Sequence, residues 1–432
     1  MRVRVARAIP VSIIVEAWTS RSAGADLFRL VRATFLLSMP WPIPTIQSRL
    51  KPSPLSWVRW LIAFVMVMTA GAAVVLLLWP SGKPTNSAEF WIWLFGSPIV
   101  VYMGLLGARL WYYEQAKIKF EVWEEKRVSI EGDWARWACR CIRAVNACSF
   151  LPATHSIDEW LTEEAKLPVN LNRAVSMGWF FAKSPELWLQ HLLSLIIERF
   201  AEELESHVQK LDVIIILDSD TVSELEDMGF DCKATFVGLL QKRSINLTGL
   251  SASLHDDIGV EMIDDWIDRP SFGPTLLIAG QRATDSSRYS EGGVAILFSA
   301  AASEVHSRTV MLIRRPMQTS TAILRDDFAE VIRVQGETGA NVDIWHTGLD
   351  KEMQGEVLEV SSIDRHGRAV SGPQFMEHTI DSVLGMSGPL SVWIALGLAL
   401  QAAPRRKQPQ LVVASNGASS IALVLATSEI AD

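Results

Sequence analysis

The sequence predicts an N-terminal transmembrane helical hairpin followed by a layered α/β domain. Two uncharged apolar runs with aromatic ends lie between residues 57 and 113, each long enough to cross a bilayer. Behind them, short β-branched runs alternate with amphipathic stretches, the pattern of strands and helices packed in layers. Composition agrees: 49% of the 432 residues are hydrophobic and only 20% are charged. The formal net charge of -8 argues against a global basic surface, so no nucleic-acid partner is expected.

The first apolar run, Trp57 to Trp79, carries no charge after Arg59. Trp57, Trp60 and Trp79 bracket it, as indoles do at a membrane–water boundary. The second, Phe90 to Tyr113, is uncharged until Arg109. The linker between them, PSGKPTNSAE, is short and holds one Lys. The outer flanks hold Arg49, Lys51 and Arg59 on one side and Arg109, Lys117, Lys119, Lys126 and Arg127 on the other. Positive-inside bias therefore places both flanks and the C-terminal part in the cytoplasm, which in a bacterium means an inner-membrane protein with two spans. The expected organisation is a basic, disordered segment over 1–55, the two transmembrane helices over 56–113, a membrane-proximal helix over 114–142, and a cytoplasmic domain over 143–432. Residues 1–38 are Arg-rich and acid-poor, which fits a leader or a start codon placed too early. From Met39 the chain is Pro-rich and reads as extended.

Beyond the membrane-proximal helix, LDVIIILDSD (Leu211 to Asp220) reads as a buried strand preceded by a long amphipathic stretch from Glu186 to Lys210. Further strands are expected at Pro274 to Gln281, Gly292 to Ala300, Thr309 to Arg315, Val342 to Thr347, Leu411 to Ser415 and Ser420 to Ala426. No repeat with a period of twenty to fifty residues is visible.

The four cysteines, Cys139, Cys141, Cys148 and Cys232, lack the spacing of a metal site and read as free thiols in a reducing compartment. No metal and no cofactor is expected. Asp218 to Asp220 and His255 to Asp257 are acidic or His-acid clusters that read first as solvated strand ends. Ser287, Ser290 and His306 form no triad, because no G-x-S-x-G elbow surrounds a serine. The basic stretch Ala403 to Gln410 reads as a solvated turn. The most suggestive stretch is NVDIWHTGLDKEMQGEV (Asn341 to Val357), in which His346 ends a short apolar run and a flexible turn follows. That is how a fold presents an imidazole to a site.

Five stretches, taken in order, resemble the thiolase-like superfamily in its β-ketoacyl synthase branch: LLIAGQ, SEGGVAILFS, the His346 loop, DSVLGMSGPLSVWIALGLAL (Asp381 to Leu400) and LVVASNGASSIALVLA. They cover roughly the last 160 residues. The resemblance implies a layered thiolase-like fold with a Cys nucleophile at a helix N-terminus and two histidines that polarise a thioester carbonyl. The sequence departs from this pattern at each chemical position. The window for the nucleophile, Ser244 to Trp266, holds no Cys. His346 answers to the first histidine, but Met386 stands in place of the second. Asp381 and Ser382 stand near the position of the family's Lys, and Asn416, Gly417 and Ala418 shorten the final turn. His346 is thus a vestigial candidate and no catalytic residue is assigned.

An anchored domain of this kind is similar in organisation to accessory and adaptor proteins of bacterial type VI secretion. The resemblance implies a protein partner, a secretion component or effector, besides the lipid bilayer, and a homodimer. The competing expectation is a membrane-bound acyl transferase or β-ketoacyl synthase-like enzyme using Cys232 or Cys148.

Overall fold

The computed structural model describes residues 41–152, 156–162, 167–171, 173–177, 184–207, 210–245, 247, 249–256, 258–269, 273–283, 289–299, 309–336, 342–361, 376–415 and 421–430. The chain divides into two compact units, one running from Ile43 to Trp134 and one built from Ala135 onward together with Trp41 and Pro42, apart from residues outside this range.

In the first unit, α1 spans Trp57–Leu78. A short helix α2 (Ala88–Trp91) leads through a π-helical turn, Ile92–Gly96, into α3 (Ser97–Ala138). Ser87 caps α2 by accepting the N–H of Phe90. The two long helices are apolar and long enough to cross a membrane. They meet tightly at Gly71, where an added Cβ would lie 2.3 Å from Pro98 Cγ. Lower down, the Tyr102 hydroxyl donates to Trp60 O at 3.2 Å, and the Phe64 and Tyr102 rings sit edge to face at 4.9 Å. Trp41 to Ser56 forms neither helix nor strand, as its prolines predict. Along it, Gln47 O accepts Trp123 Nε1–H at 3.3 Å and the Arg49 guanidinium covers the Trp123 ring at 4.1 Å.

Two expectations need correction. The membrane-proximal helix is not a separate element: it is the continuation of α3, since no proline or paired glycine interrupts Tyr113 to Ala138. Nor does helix reach Ile142, because Cys141–Phe150 is strand β1.

Among the described residues the second unit is one mixed sheet of eleven strands with helices on both faces. After β1 come α4 (Asp158–Leu161), α5 (Pro185–Arg199), α6 (Ala201–His207), β2 (Lys210–Leu217), α7 (Ser219–Asp227), α8 (Cys232–Lys242), β3 (Gly249–Asp256), α9 (Glu261–Ile267), β4 (Thr275–Gln281) and β5 (Gly292–Ser299). The second half runs β6 (Thr309–Arg314), β7 (Met317–Thr319), α10 (Leu324–Gln335), β8 (Asp343–Thr347), α11 (Lys351–Ser361), β9 (Glu377–Thr379), α12 (Ile380–Leu384), α13 (Ser391–Arg406), β10 (Gln410–Ser415) and β11 (Ile421–Ile430).

The halves share one plan. In the first, β3, β2 and β4 are parallel neighbours, β5 is antiparallel to β4, and β1 pairs β5 from the far side. In the second, β9, β8 and β10 are parallel neighbours, β11 is antiparallel to β10, and β6 pairs β11 from the far side. The short strand β7 extends β6 along β11. The halves join where β1 and β6 pair antiparallel, Cys141 opposite Arg314 and Ala144 opposite Met311. All seven strands expected from sequence are present. Four others, β1, β3, β7 and β9, were not expected.

One core, on the face of α4, α9 and α13, gathers Trp160, Trp266, Trp345 and Trp393. Almost every residue of α13 from Ser391 to Leu400 is buried, so its sequence is apolar all round. The other face holds α5 and α8, with Trp188, Phe200 and Phe236.

Candidate functional site

The parallel strands end at one rim, where Gln281 closes β4, Thr347 closes β8 and Ser415 closes β10. Side chains from these ends converge with the loop between α12 and α13. A Cβ on Gly388 would meet the Gln281 amide, and one on Gly348 would meet Ser415 and Ser387. Gln281 Nε2 donates to Ser290 O at 2.6 Å, and its Oε1 accepts Leu390 N–H at 3.2 Å. Rim positions of this sort are where open α/β sheets place ligands.

His346 sits next to this rim, 1% exposed. Strand alternation points Trp345 into the core with α13 and His346 to the opposite face. Its Nε2 lies 2.7 Å from Glu377 Oε1 and 3.0 Å from Thr379 Oγ1, both on the neighbouring strand β9. A carboxylate only accepts, so this contact places the proton on Nε2. Nδ1 is buried and has no partner among the described residues. The imidazole is therefore tied into the sheet edge rather than presented to a cleft.

On the other face of β8 and β9, Trp345 and His378 stack with centroids 3.9 Å apart. Trp345 Nε1 donates to Gln410 Oε1 at 2.8 Å, and Gln410 Nε2 and Arg406 Nε each donate to Asp343 Oδ2 at 3.1 Å. Burial holds the His378 pKa down to about 4, with Asp343 opposing and Arg406 and His346 reinforcing the shift. Neither His378 nor this network was singled out from the sequence, because its members come from β8, β9, α13 and β10.

Asp381 accepts the Gly348 N–H and the Thr347 hydroxyl. Burial pushes its carboxyl above the ordinary range, and those two hydrogen bonds work against the shift. The backbone at Met386, where a second histidine was looked for, is bound by the chain itself. Met386 N–H donates to Arg173 O at 3.0 Å and Met386 O accepts Ser290 N–H at 2.9 Å. Gly385 has φ +91°, and a Cβ there would lie 2.0 Å from Arg173 O. Residues 167–171 and 173–177 are thereby strapped across the rim. Asn170 bonds to Ser382 O and Val383 O, Val175 N–H donates to Ser290 Oγ, and the Glu291 carboxylate accepts Met177 N–H and Trp188 Nε1–H. Burial raises the Glu291 pKa. Ser290 thus pins the strap, which is a structural task.

The cysteines lie elsewhere. Cys232 begins a helix, α8, but Asp231 caps that helix and Cys232 is buried. Burial and the Asp231 charge push its thiol up to about 11. Cys232 and α8 pack with α5 on the face of the sheet opposite α9 and α13. Cys148 lies inside β1, and burial pushes it up to about 12. The stretch Ser244 to Trp266 holds edge strand β3 and all but the last residue of the seven-residue helix α9.

Asp218 caps α7 and accepts the Thr221 N–H, the Thr221 hydroxyl and the Arg282 N–H, each at 3.0 Å. Its oxygens are used in joining the ends of β2 and β4. His255 lies half-buried on β3, its Nε2 2.9 Å from Ser253 Oγ. Among the described residues no group of three His, Cys, Asp or Glu side chains is placed to hold a metal ion. Asp257, Ser287, His306 and Asn416 to Ala418 lie outside the described residues.

No family model and no curated sequence matches the chain. Among solved structures it is similar to the ketosynthase from module 1 of the bacillaene synthase of Bacillus amyloliquefaciens, at 10% identity and TM-score 0.45 over 67% of this chain and 76% of that one. It is likewise similar to an OleA variant from Xanthomonas campestris, at 9% identity and TM-score 0.41 over 67% and 98%. A third is AbyA1, a tetronic acid condensing enzyme, at 14% identity and TM-score 0.40 over 66% and 99%. What the fold and rim define in this chain is a mixed α/β sheet domain built from two like halves.

Proposed function

We propose that the chain is a membrane-anchored, thiolase-like domain that docks another protein and performs no acyl transfer. The observation that carries this reading is at the rim. Met386 stands where the resemblance expects the second His, with Asp381 and Ser382 near its Lys, and Arg173 O accepts the Met386 N–H. The doubled strand plan supports the thiolase-like assignment, and the two long apolar helices support anchoring. The buried thiols of Cys148 and Cys232 count against the enzyme reading, since acyl transfer needs a thiolate.

The partner class placed first is a component or effector of a type VI secretion machine at the bacterial inner membrane, with the sheet domain cytoplasmic. Its support is the organisation alone, two spans ahead of a domain without a nucleophile. The test is direct. Full-length chain in nanodiscs is offered a series of acyl thioesters, and release of thiol and the mass of each cysteine are followed. Neither turnover nor an acyl adduct is expected, and either would overturn the proposal.

A further inference from the structure

The long helix α3 uses one face and leaves the opposite one bare. Tyr102 and Trp123 lie on the used face, where they bond to Trp60 O and Gln47 O. At about 3.6 residues per turn, the opposite face carries Gly104, Ala108, Trp111, Gln115, Ile118 and Val122, all exposed. Trp111 is 67%, Ile118 49% and Val122 59% exposed. A bare apolar face is ordinary in lipid, but Ile118 and Val122 lie among Glu114, Lys117, Lys119, Glu121 and Lys126, where water is the solvent.

The spacing of the stripe alternates by four and three residues, the repeat of a two-stranded coiled coil. Ala108, Gln115 and Val122 fall at a positions and Gly104, Trp111 and Ile118 at d positions. The flanking charges then settle orientation. Glu114 and Glu121 fall at g, and Lys119 and Lys126 at e. In a parallel pair of identical helices each g residue faces the e residue five positions on in its partner, so Glu114 meets Lys119 and Glu121 meets Lys126. In an antiparallel pair g faces g and e faces e, which sets Glu against Glu and Lys against Lys. Glu121 otherwise makes only a 3.9 Å, solvent-exposed contact with Lys117, which is weak.

We infer that α3 pairs in parallel with α3 of a second copy of this chain, through the Gly104–Val122 stripe. The inference rests on the anchoring proposed above, because a shared bilayer presents two copies side by side in the same direction. Gly104 and Ala108 let the helices approach within the membrane. Trp111, Gln115, Ile118 and Val122 continue the seam into water, and the polar Gln115 at an a position fixes its register.

Single cysteines at Gln115, Ile118 and Lys117, in a full chain carrying Cys141→Ser, are oxidatively crosslinked in membranes. Gln115→Cys and Ile118→Cys should give dimer at least about tenfold above Lys117→Cys, which points away from the seam. Reversing the g charges (Glu114→Lys with Glu121→Lys) in the Ile118→Cys chain should lower the yield about tenfold, since attractive pairs become repulsive. Co-expression with a chain carrying Lys119→Glu and Lys126→Glu should restore it as mixed dimers. Equal crosslinking at all three positions, none at Gln115 and Ile118, or indifference to charge reversal would overturn the pairing. Alkaline extraction reports on anchoring separately: release into the soluble fraction would remove the anchor, while the crosslink pattern of the same sample still decides the pairing.

Discussion

Asp381 holds Gly348: one carboxylate oxygen accepts its N–H at 2.6 Å and the other accepts the Thr347 hydroxyl at 2.7 Å. This carboxylate thus closes the turn after His346. Asp381→Ala leaves both donors buried without an acceptor and should cost about 1–3 kcal/mol in denaturant unfolding of the detergent-solubilised chain. A change below a few tenths of a kcal/mol would show that the turn holds itself.

His378 gives stability a dependence on pH. Its folded pKa is about 4 against an ordinary 6.5, so between those values the unfolded chain binds the proton and the folded chain does not. Stability should therefore be full above about pH 6.5 and fall by up to about 3 kcal/mol as the pH drops to about 4. His378→Phe keeps the stack on Trp345 and should flatten that stretch of the stability–pH curve. An unchanged slope would assign it to other groups.

Arg315, 1% exposed, is bound by Asp264 and Asp268 and lies over the Trp137 ring at 4.2 Å. Arg315→Met fills similar volume but strands the two carboxylates. Because both are partly exposed, the loss should be about 2 kcal/mol, below the roughly 3–5 kcal/mol of a fully buried pair. Adding Asp264→Asn should recover part of it.

Thiol chemistry should be slow. With pKa values of about 11 and about 12, Cys232 and Cys148 are thiolate to about one part in a thousand or less at pH 8. Peptide mapping after brief iodoacetamide treatment should find label on exposed Cys141 and almost none on those two. Label on Cys232 faster than on a free thiol would reopen the enzyme reading.

Gly385 tests the strap. Its φ is +91° and an added Cβ would lie 2.0 Å from Arg173 O, so the position has no room for a side chain. Gly385→Ala should displace the segment from Leu167 to Met177 and speed proteolysis there, while cleavage elsewhere stays slow.

What the sequence discloses depends on how each element is buried. The strands β2, β4, β5, β8, β10 and β11 are covered on both faces, so runs such as Val213 to Leu217 are apolar throughout and legible. The edge strand β3, GLSASLHD, is half-exposed and carries four polar residues that read as loop. β1 alternates Arg143 and Asn146 with small apolar residues directly after a helix, which hides the change of period. β9 is three residues long, too short to register. For the site, His346 was visible because a strand and a turn frame it. Its partners Glu377 and Thr379 were not, since a parallel neighbour some thirty residues on defines them. The doubled plan of the sheet is a property of pairing and leaves no matching period in the residues.

Only Cys139 and Arg140 separate the end of α3 from β1, and β1 lies at the centre of the sheet, between β5 and β6. In synthesis β1 is therefore the earliest strand to appear, while both of its neighbours come more than a hundred residues later. At roughly 5–20 residues per second, its two hydrogen-bonding edges stay open for several seconds or more. Contacts of such long range also make maturation slow. A nascent chain halted before Gly292 should accordingly be a chaperone client and an aggregation hazard, and release from that state should come abruptly once Arg314 has cleared the ribosome.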